Sequence, residues 1–561
     1  MKQIIANLLE KELKGKLTTE EIENLLEIPP SGDLGDFSFP CFKLSSILKQ
    51  SPKIIADELA RKIHSLEIDK VESKSGYLNF FMKKENYANS LKLIDENFGK
   101  TNKKGKIVLD FSGPNIGKPM HIGHIRSTIL GDSLMRIFEF QGYDAKGINY
   151  LGDIGLHIGK LIVAYELWLD KKALEKNPVQ ELLRLYIKFC DNEKTEYNEG
   201  VEEEFQDNEW TNKAKEKLKL IEMGDKKTHK IWQEITKNSK KGFDKVYKML
   251  NVNFHETTGQ SLFSEAGKKL ITEAIKKGKA KVEQDNAVYV ELDNLPKKYV
   301  LRSNGTASYI TQDIGAAVER YKKYNFDKMI YVVDYRQELH FKQLSAILKK
   351  FGFNFSDKII HVGFGTINFG NEIMATRKGK VILLEDVLKK TIEKAEQEIK
   401  KRKTKGDAEE IGIASVKYAI LKNSPREDVN FSWEQALNFE GNSGPYLQYS
   451  YARASSILRK AKKPKKSKNA EKQKPLEPSE IALIKKMLEF PQKVEEAASH
   501  LSPNIIANYA FELAQLFNEF YHSSPVIGSD NEQFRLELVK KFRIVMASSL
   551  YLLGIEVLEE M

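Results

Sequence analysis

The sequence predicts a multidomain α/β protein whose core is a parallel sheet with helices on both faces. The chain has 561 residues, and because one hydrophobic core rarely exceeds roughly 250–300 residues, about three to four domains are expected. Residues 106–112, "KIVLDFS", form a short apolar run that is followed by a Gly/Pro loop and then a helical pattern from His121. This order is the strand–loop–helix start of such a sheet.

The composition is that of an ordinary globular protein, with 41% hydrophobic and 30% charged residues. Lys and Arg number 90 against 79 Asp and Glu, and the net charge of +11 suits either a polyanionic partner or a solvated lysine-rich surface. Cys41 and Cys190 are isolated, which argues against a disulfide scaffold and favours the reducing cytoplasm. No apolar run approaches about 18 residues, so neither a membrane span nor an export signal is predicted.

The first predicted domain covers residues 1–104. Helical patterns at residues 1–28 and 52–63 accompany the alternating sequence "GYLNFFM" at residues 76–82, which is typical of a strand. A polar linker, "GKTNKKGK", follows. These features indicate a small α/β domain.

The second and third predicted domains cover residues 105–405 and 406–561. "KGINYLGDIG", residues 146–155, supplies another strand, whereas long charged helices at about 165–255 are interpreted as an insertion. From residue 406 helical periodicity dominates, which predicts an all-α domain. Within it, the lysine-rich run at 461–475 is interpreted as a flexible loop, with a nucleic-acid contact as the alternative.

A His-x-Gly-His motif begins the first helix of the predicted sheet domain. Unpaired N–H groups and the helix dipole favour an anion there, and the imidazoles of His121 and His124 can donate to phosphate oxygens. Gly123 lets a flat adenine approach the backbone, and Lys118 adds a positive charge. The alternative is a pair of core histidines satisfied by the backbone. The sequence context favours a nucleotide site.

Residues 112–132, "SGPNIGKPMHIGHIRSTILGD", resemble the signature of class I aminoacyl-tRNA synthetases in the variant found in arginyl-tRNA synthetases. Further segments resemble that family in the same order along the whole chain: "GDLGDFSFPCFKL", "SGYLNFF", "INYLGDIGLHIG", "LRSNGTASYITQDIGAAVERY", "DYRQELHFKQL", "MATRKGKVILLEDVL", "NFEGNSGPYLQYSYARASSIL" and "YLLGIEVLEEM". The resemblance implies a Rossmann-type class I synthetase catalytic core, an N-terminal domain that contacts tRNA and a C-terminal all-α anticodon-binding domain.

The implied activity is ATP-dependent joining of L-arginine to AMP, followed by transfer of the arginyl group to the 3′-terminal adenosine of tRNA(Arg). In such phosphoryl chemistry, positioning and charge stabilisation do most of the catalysis. By resemblance, His121, His124 and Lys118 are the catalytic residues. ATP with Mg²⁺ is expected as a substrate, without a tightly bound cofactor or a protein metal site. The expected partners are tRNA(Arg), L-arginine and ATP, without a membrane, and the family expectation is a cytoplasmic monomer.

The second family signature, Lys-Met-Ser-Lys-Ser, is altered at residues 373–380, "IMATRKGK", where Ile373 and Ala375 replace the leading lysine and the serine. In arginyl enzymes with altered loops a lysine ahead of the histidine motif is thought to compensate, and Lys118 stands in that place. The alternative is an ordinary basic turn. The resemblance assigns ATP binding to the following residues: His121, Gly123, His124, Met374, Thr376, Arg377 and Lys378.

A guanidinium substrate needs a planar fork of acceptors, best supplied by carboxylates. By resemblance, Tyr309 and Asp313 bind it, with Asp110 nearby where many relatives carry glutamate. A spacing of four places Tyr309 and Asp313 on one helix face. Their alternative is a helix-start carboxylate beside a half-buried tyrosine. The amino and carboxylate end of arginine is assigned to three residues: Asn115, His121 and Gln337.

The helical segment "GPYLQYSYARASSILRK" interleaves aromatic and polar residues, which suits stacking on unpaired anticodon bases. The predicted tRNA-binding residues are Tyr446, Gln448, Tyr449 and Arg453. Buried packing in a helix bundle would explain the same pattern equally well.

Two other functions remain open at this point. A class I synthetase for another amino acid would share the phosphate chemistry and differ in the pocket near Asp110, Tyr309 and Asp313. A catalytically silent tRNA-binding relative would keep both terminal domains while the altered loop no longer supports chemistry. A small nucleotidylyltransferase is disfavoured because it would leave both terminal domains without a purpose.

Overall fold

The computed structural model describes residues 1–194, 208–368, 383–461 and 475–561. The chain divides into two compact units. The first unit comprises Met1–Asp95, Pro464–Leu488 and Glu519–Lys541, and the second comprises Glu96–Lys463, Glu489–Asn518 and Phe542–Met561. Within the described residues, no helix combines the length and the apolar character needed to cross a bilayer.

The N-terminal part of the first unit pairs an antiparallel sheet with short helices. Its sheet has the strand order β1-β3-β2. The strands are β1 (Phe37–Pro40), β2 (Ile68–Lys74) and β3 (Tyr77–Met82), and the helices are α1 (Lys2–Glu12), α2 (Thr19–Leu25), α3 (Phe42–Leu48), α4 (Pro52–Lys62) and α5 (Lys84–Ser90). Also within this unit, a buried ion pair joins Arg535 Nε to Glu480 Oε1 at 2.7 Å.

The second unit is built on a five-stranded sheet in which every neighbouring pair is parallel. Its order is β11-β10-β4-β5-β6, so β4 is the central strand. These strands are β4 (Lys106–Asp110), β5 (Asp144–Leu151), β6 (Glu256–Gly259), β10 (Lys328–Asp334) and β11 (Ile359–Phe364). The strand predicted at residues 106–112 is therefore present but ends at Asp110, which lies at the carboxyl edge of the sheet where ligands bind in such folds.

Helices connect these strands, and the predicted insertion between β5 and β6 is helical in its described residues. The small sheet β7-β8-β9 precedes α13. These elements are α6 (Ile122–Phe140), α7 (Leu156–Trp168), α8 (Lys171–Lys176), α9 (Pro178–Lys194), α10 (Glu209–Glu222), α11 (Lys226–Met249), α12 (Ser264–Lys276), β7 (Lys281–Val282), β8 (Val288–Leu292), β9 (Leu295–Leu301), α13 (Tyr309–Tyr324) and α14 (Glu338–Phe351).

The C-terminal part is helical, as its periodicity predicts, with one exception. The two-residue strands β12 (Ile367–Asn368) and β13 (Val429–Asn430) pair in parallel, so strands do not end completely at residue 406. The helices are α15 (Leu384–Arg402), α16 (Ala408–Leu421), α17 (Trp433–Ala436), α18 (Gly444–Lys460), α19 (Pro478–Leu488), α20 (Phe490–Ser499), α21 (Asn504–Ser523) and α22 (Glu532–Leu552).

Helix α6 is attached to the sheet by hydrogen bonds as well as by packing. Ser127 Oγ donates to Val332 O of β10 at 2.6 Å and accepts from Ser112 N at 2.9 Å. A Cβ atom at Gly131 would lie 2.1 Å from Cγ of Phe111, so only glycine permits this close approach of helix and strand. These contacts therefore fix the position of α6 relative to β4.

We expect Gly131→Ala to lower the stability of the second unit by about 1–3 kcal/mol, because the added methyl group overpacks the contact with Phe111. Thermal denaturation followed by circular dichroism measures this change. Glu139→Ala, a partly exposed position on the same helix, serves as the control. A denaturation midpoint for Gly131→Ala equal to that of the control would contradict the packing described here.

Candidate active site

The two histidines of the motif form a reciprocal cap at the first turn of α6. His121 is the residue before the helix, and its Nδ1 accepts the N–H of Gly123 at 3.1 Å. His124 Nδ1 accepts the N–H of His121 at 3.1 Å. The ring centroids are 4.0 Å apart. Because both Nδ1 atoms act as acceptors, each neutral ring carries its proton on Nε2 and can donate it to a ligand.

Burial keeps both imidazoles neutral at physiological pH. It lowers the pKa of His124 to about 3, and the neighbouring His121 adds to this effect. Burial also lowers the pKa of His121, assisted by the charge of Lys118. The motif thus offers uncharged N–H donors beside a helix N-terminus, which suits phosphate oxygens without requiring imidazolium.

Gly123 is required by the cap itself. A Cβ atom there would lie 2.9 Å from Cε1 and 3.0 Å from Nδ1 of His121. The residue is exposed, so its surface is also open to a flat ligand.

Lys118 lies in the loop between β4 and α6, beside the helical insertion. Its Nζ is 4.5 Å from the ring centroid of Tyr186 on α9. Burial lowers the pKa of Lys118, although the charge of Lys118 still acts on His121 and on His157. The lysine is therefore close to the histidine pair, and Tyr186, which sequence reasoning missed, fixes its position through a cation–π contact.

Asp110 ends the central strand and forms a buried ion pair. Its Oδ2 accepts from Nη1 of Arg320 on α13 at 2.7 Å. Burial raises the pKa of Asp110, and the guanidinium opposes that rise. The face of Arg320 lies 4.7 Å from the ring centroid of Tyr150. One of the carboxylates predicted to receive a guanidinium thus already bonds one from the protein itself.

Tyr309 and Asp313 lie on the first two turns of α13, as the spacing predicts. Tyr309 is 55% exposed, and its hydroxyl approaches Gly155, where a Cβ atom would lie 3.5 Å from it. Asp313 is mostly buried, and its charge raises the pKa of Asp110. Asp313 Oδ2 bonds Nε2 of His340 at 2.6 Å. These residues therefore share the carboxyl edge of the sheet.

Two further predicted residues are exposed at this edge. The backbone of Asn115 forms an isolated parallel β-bridge with Gly152. In this bridge the N–H of the next residue, Ile116, donates to Gly152 O at 2.9 Å. Gln337 ends the short 3-10 turn Tyr335–Gln337 that follows β10. Both side chains are available to a ligand above the strand ends.

Four predicted ATP-binding residues lie outside the described residues: Met374, Thr376, Arg377 and Lys378. Residues 367–368 before this segment and 383–384 after it are described. Leu383 forms an antiparallel β-bridge with His121, and Leu384 N donates to Met120 O at 2.9 Å. The segment therefore rejoins the described chain at the histidine motif. Residues 462–474 of the lysine-rich run at 461–475 also lie outside the described residues.

Comparison with known proteins decides the family. Models of the class I tRNA synthetase (R) catalytic domain, the arginyl-tRNA synthetase N-terminal domain and the DALR anticodon-binding domain match residues 89–433, 1–82 and 447–561. The arginine–tRNA ligase of Clostridium perfringens is 38% identical, with 97% of each chain covered, and that of Clostridium botulinum is 37% identical, with 100% of each covered. The chain belongs to the arginine–tRNA ligase family.

Solved structures agree with the fold predicted for this family member. The arginyl-tRNA synthetase of Thermus thermophilus superposes with a TM-score of 0.81 at 22% identity, covering 100% of both chains. That of Plasmodium falciparum gives 0.79 at 24% identity, covering 100% of this chain and 98% of the other. The predicted class I catalytic core with an N-terminal domain and a helical C-terminal domain is confirmed.

The residues predicted to bind tRNA lie on α18 of this synthetase and differ in exposure. Gln448 is fully buried and donates to Glu556 O at 2.9 Å, so it joins α18 to the C-terminal segment that follows α22. Tyr446, Tyr449 and Arg453 are partly exposed. Arg453 lies 4.7 Å from the ring centroid of Tyr449 and donates to its hydroxyl at 3.0 Å.

We expect the stability of this synthetase to decrease as the pH is lowered, in part because of His124. The folded pKa of about 3 lies below the ordinary value of 6.5, so the unfolded chain binds the proton first. The stabilisation from the neutral ring is present above pH 6.5 and is lost as pH falls toward 3, with about 1.6 kcal/mol lost between pH 6.5 and 5. Thermal denaturation midpoints across this range measure it.

In this experiment His124→Gln should flatten the pH dependence relative to the wild type. His500→Gln, which removes an exposed imidazole, controls for the loss of a histidine as such. Equal slopes for the wild type and His124→Gln would show that this histidine is not held neutral.

Proposed function

We propose that this chain activates L-arginine with ATP and transfers it to the 3′-terminal adenosine of tRNA(Arg). The observation that supports this most directly is the pair of Nε2 donors on His121 and His124. These donors lie at the N-terminus of α6 on the same sheet edge as the carboxylate of Asp313. A phosphate site and a cation site thus lie side by side, which is what joining a guanidinium amino acid to a nucleotide requires.

In the first step a carboxylate oxygen of arginine bonds to the α-phosphorus of ATP, and the bond to the β-phosphate oxygen breaks. Negative charge moves onto the departing pyrophosphate. His121 and His124 donate hydrogen bonds to the phosphates, while Lys118 and the helix dipole balance the growing charge. Met374, Thr376, Arg377 and Lys378 are proposed as further ATP contacts.

Mg²⁺ is proposed to bind as a complex with the triphosphate of ATP rather than at a separate protein metal site. A phosphate-bound Mg²⁺ supplies charge neutralisation that the neutral histidines do not. The protein groups that act beside it are Lys118 and the two Nε2–H donors.

Arginine is proposed to bind with its guanidinium against Asp313 and Tyr309. Asn115, Gln337 and His121 would receive the amino and carboxylate groups near the α-phosphate. Asp110 completes the floor of this pocket through its ion pair with Arg320 rather than by an unpaired carboxylate. The acceptors at one end and the phosphate donors at the other orient arginine for attack.

In the second step a ribose hydroxyl of the terminal adenosine, the 2′-hydroxyl in this class, attacks the activated carbonyl and AMP leaves. We propose domain limits of 1–104, 105–405 and 406–561, with tRNA contacts from the first and last. Tyr446, Tyr449 and Arg453 on α18 offer rings and a guanidinium for unpaired bases, and Gln448 supports that helix from within. We also propose that the enzyme acts as a cytoplasmic monomer.

Aminoacylation of total tRNA with each of the twenty amino acids tests this function. We expect acid-precipitable label with arginine alone when ATP and Mg²⁺ are present. Labelling with another amino acid would reassign the pocket. Binding of tRNA without any labelling would point to a catalytically silent relative and to the altered segment at 373–380.

We expect Lys118→Met to slow adenylate formation at least about 100-fold, because it removes the charge proposed to compensate for the leading lysine that Ile373 replaces. Pyrophosphate exchange with tRNA present measures this rate, and filter binding should give an unchanged affinity for tRNA. Lys188→Met is the matched control, since Lys188 also lies over an aromatic ring, that of Trp168 at 4.7 Å, but is exposed on the insertion. A rate for Lys118→Met close to that of this control would remove Lys118 from the mechanism.

A further inference from the structure

Asp313 is held by a histidine that the mechanism above does not use. His340 Nε2 lies 2.6 Å from Asp313 Oδ2, and the two side chains are 18% and 15% exposed. A carboxylate oxygen accepts, so Nε2–H of His340 donates. This bond leaves Oδ1 as the carboxylate oxygen that no described residue hydrogen-bonds. The orientation of Asp313 is therefore set from one side only.

The ring of His340 is itself fixed by neighbouring rings. It packs edge-on against Phe341, with centroids 5.3 Å apart, and Phe341 stacks on His361 at 4.7 Å. His361 Nε2 donates to Val333 O of β10 at 3.0 Å. A continuous row of rings thus runs from the sheet to Asp313, so the donor is preorganised rather than free to rotate.

The surrounding charges make this orientation important for recognition. The ion pair between Asp110 and Arg320 cancels one negative charge against one positive charge. Of the two carboxylates Asp110 and Asp313, the charge of Asp313 is then the one that Arg320 does not compensate. This single negative charge matches the positive charge of one guanidinium. If the Asp313 carboxylate turned away, Asp110 could not replace it, because Asp110 already accepts from Arg320.

We propose that His340 is a positioning residue for arginine recognition, which fixes Oδ2 of Asp313 and presents Oδ1 to the substrate guanidinium. This inference rests on the proposed function, since it assigns a role within the same pocket. It deepens that function by naming the residue on which selection of a guanidinium side chain depends. His340 acts through Asp313 and is not a catalytic residue.

Steady-state aminoacylation with the full-length enzyme tests the inference. His340→Met removes the donor and keeps side-chain bulk, whereas His340→Gln keeps an N–H at a similar reach. We expect His340→Met to raise the KM for arginine at least about tenfold with the KM for ATP unchanged, as loss of an oriented charge-assisted hydrogen bond predicts. His340→Gln should stay within about threefold of the wild type.

His500→Met is the matched control, because it makes the same exchange at an exposed histidine whose hydrogen bonds go to Ser499 and Glu496 rather than to Asp313 or the row of rings. Its KM for arginine should equal that of the wild type. Butylguanidine, which carries the guanidinium but neither the amino nor the carboxylate group of arginine, reports the guanidinium end alone when used as a competitive inhibitor. Its inhibition constant should rise in His340→Met by the same factor as the KM for arginine and should not change in Gln337→Ala.

An unchanged KM for arginine in His340→Met, or equal increases for arginine and ATP, would overturn the inference. Asp313→Asn separates this from failure of the proposed function. If Asp313→Asn raises the KM while His340→Met does not, only the positioning role fails; if neither raises it, the pocket assignment fails. Should His340→Met not fold, His340→Asn, whose shorter amide cannot reach Asp313, takes its place with the same expected increase.

Discussion

The attachment of α6 to the central strand is the constraint on which the rest of the active site depends. One serine, Ser127, bonds β10 and the loop after β4 at once, and Gly131 lets the helix approach Phe111 closely. The helix begins with the two histidines, so their height above the strand ends is set by contacts one to three turns away. The cap between His121 and His124 then fixes both rings.

The carboxyl edge of the sheet has two electrostatically different regions, one that favours an anion and one that favours a cation. At α6, neutral imidazoles, a helix N-terminus and Lys118 favour an anion. At α13, Asp313 keeps one net negative charge because Arg320 compensates Asp110. A substrate that carries a cation at one end and reacts with a polyphosphate at the other fits this division. In the proposed function, this charge separation across a few strands would serve both recognition and orientation of the substrate.

The sequence predicts local features of this site well and its long-range pairs poorly. The strand, the Gly/Pro loop and the start of α6 at the histidines follow from periodicity over about 30 residues, and the spacing of Tyr309 and Asp313 places both on α13. The partner of Asp110 is 210 positions away, so no local pattern reveals Arg320. His340 lies in a segment that resembles the family, but its partner Asp313 is 27 positions away, so no local pattern reveals this pair. Gln448 shows another limit of sequence-based prediction. Helical periodicity does not distinguish a helix face that binds a ligand from one that is packed in the interior.

The ion pair beneath the pocket also constrains how this region can change over evolutionary time. Replacing either Asp110 or Arg320 alone would pass through a protein with an uncompensated buried charge, which typically costs about 3–5 kcal/mol. Drift at these positions must therefore proceed by paired replacement or by substitutions that keep both charges. Tyr309, exposed at the mouth, has no such partner among the hydrogen bonds of the described chain and can vary singly. New side-chain specificities in this fold would thus arise more readily at the rim than at the floor.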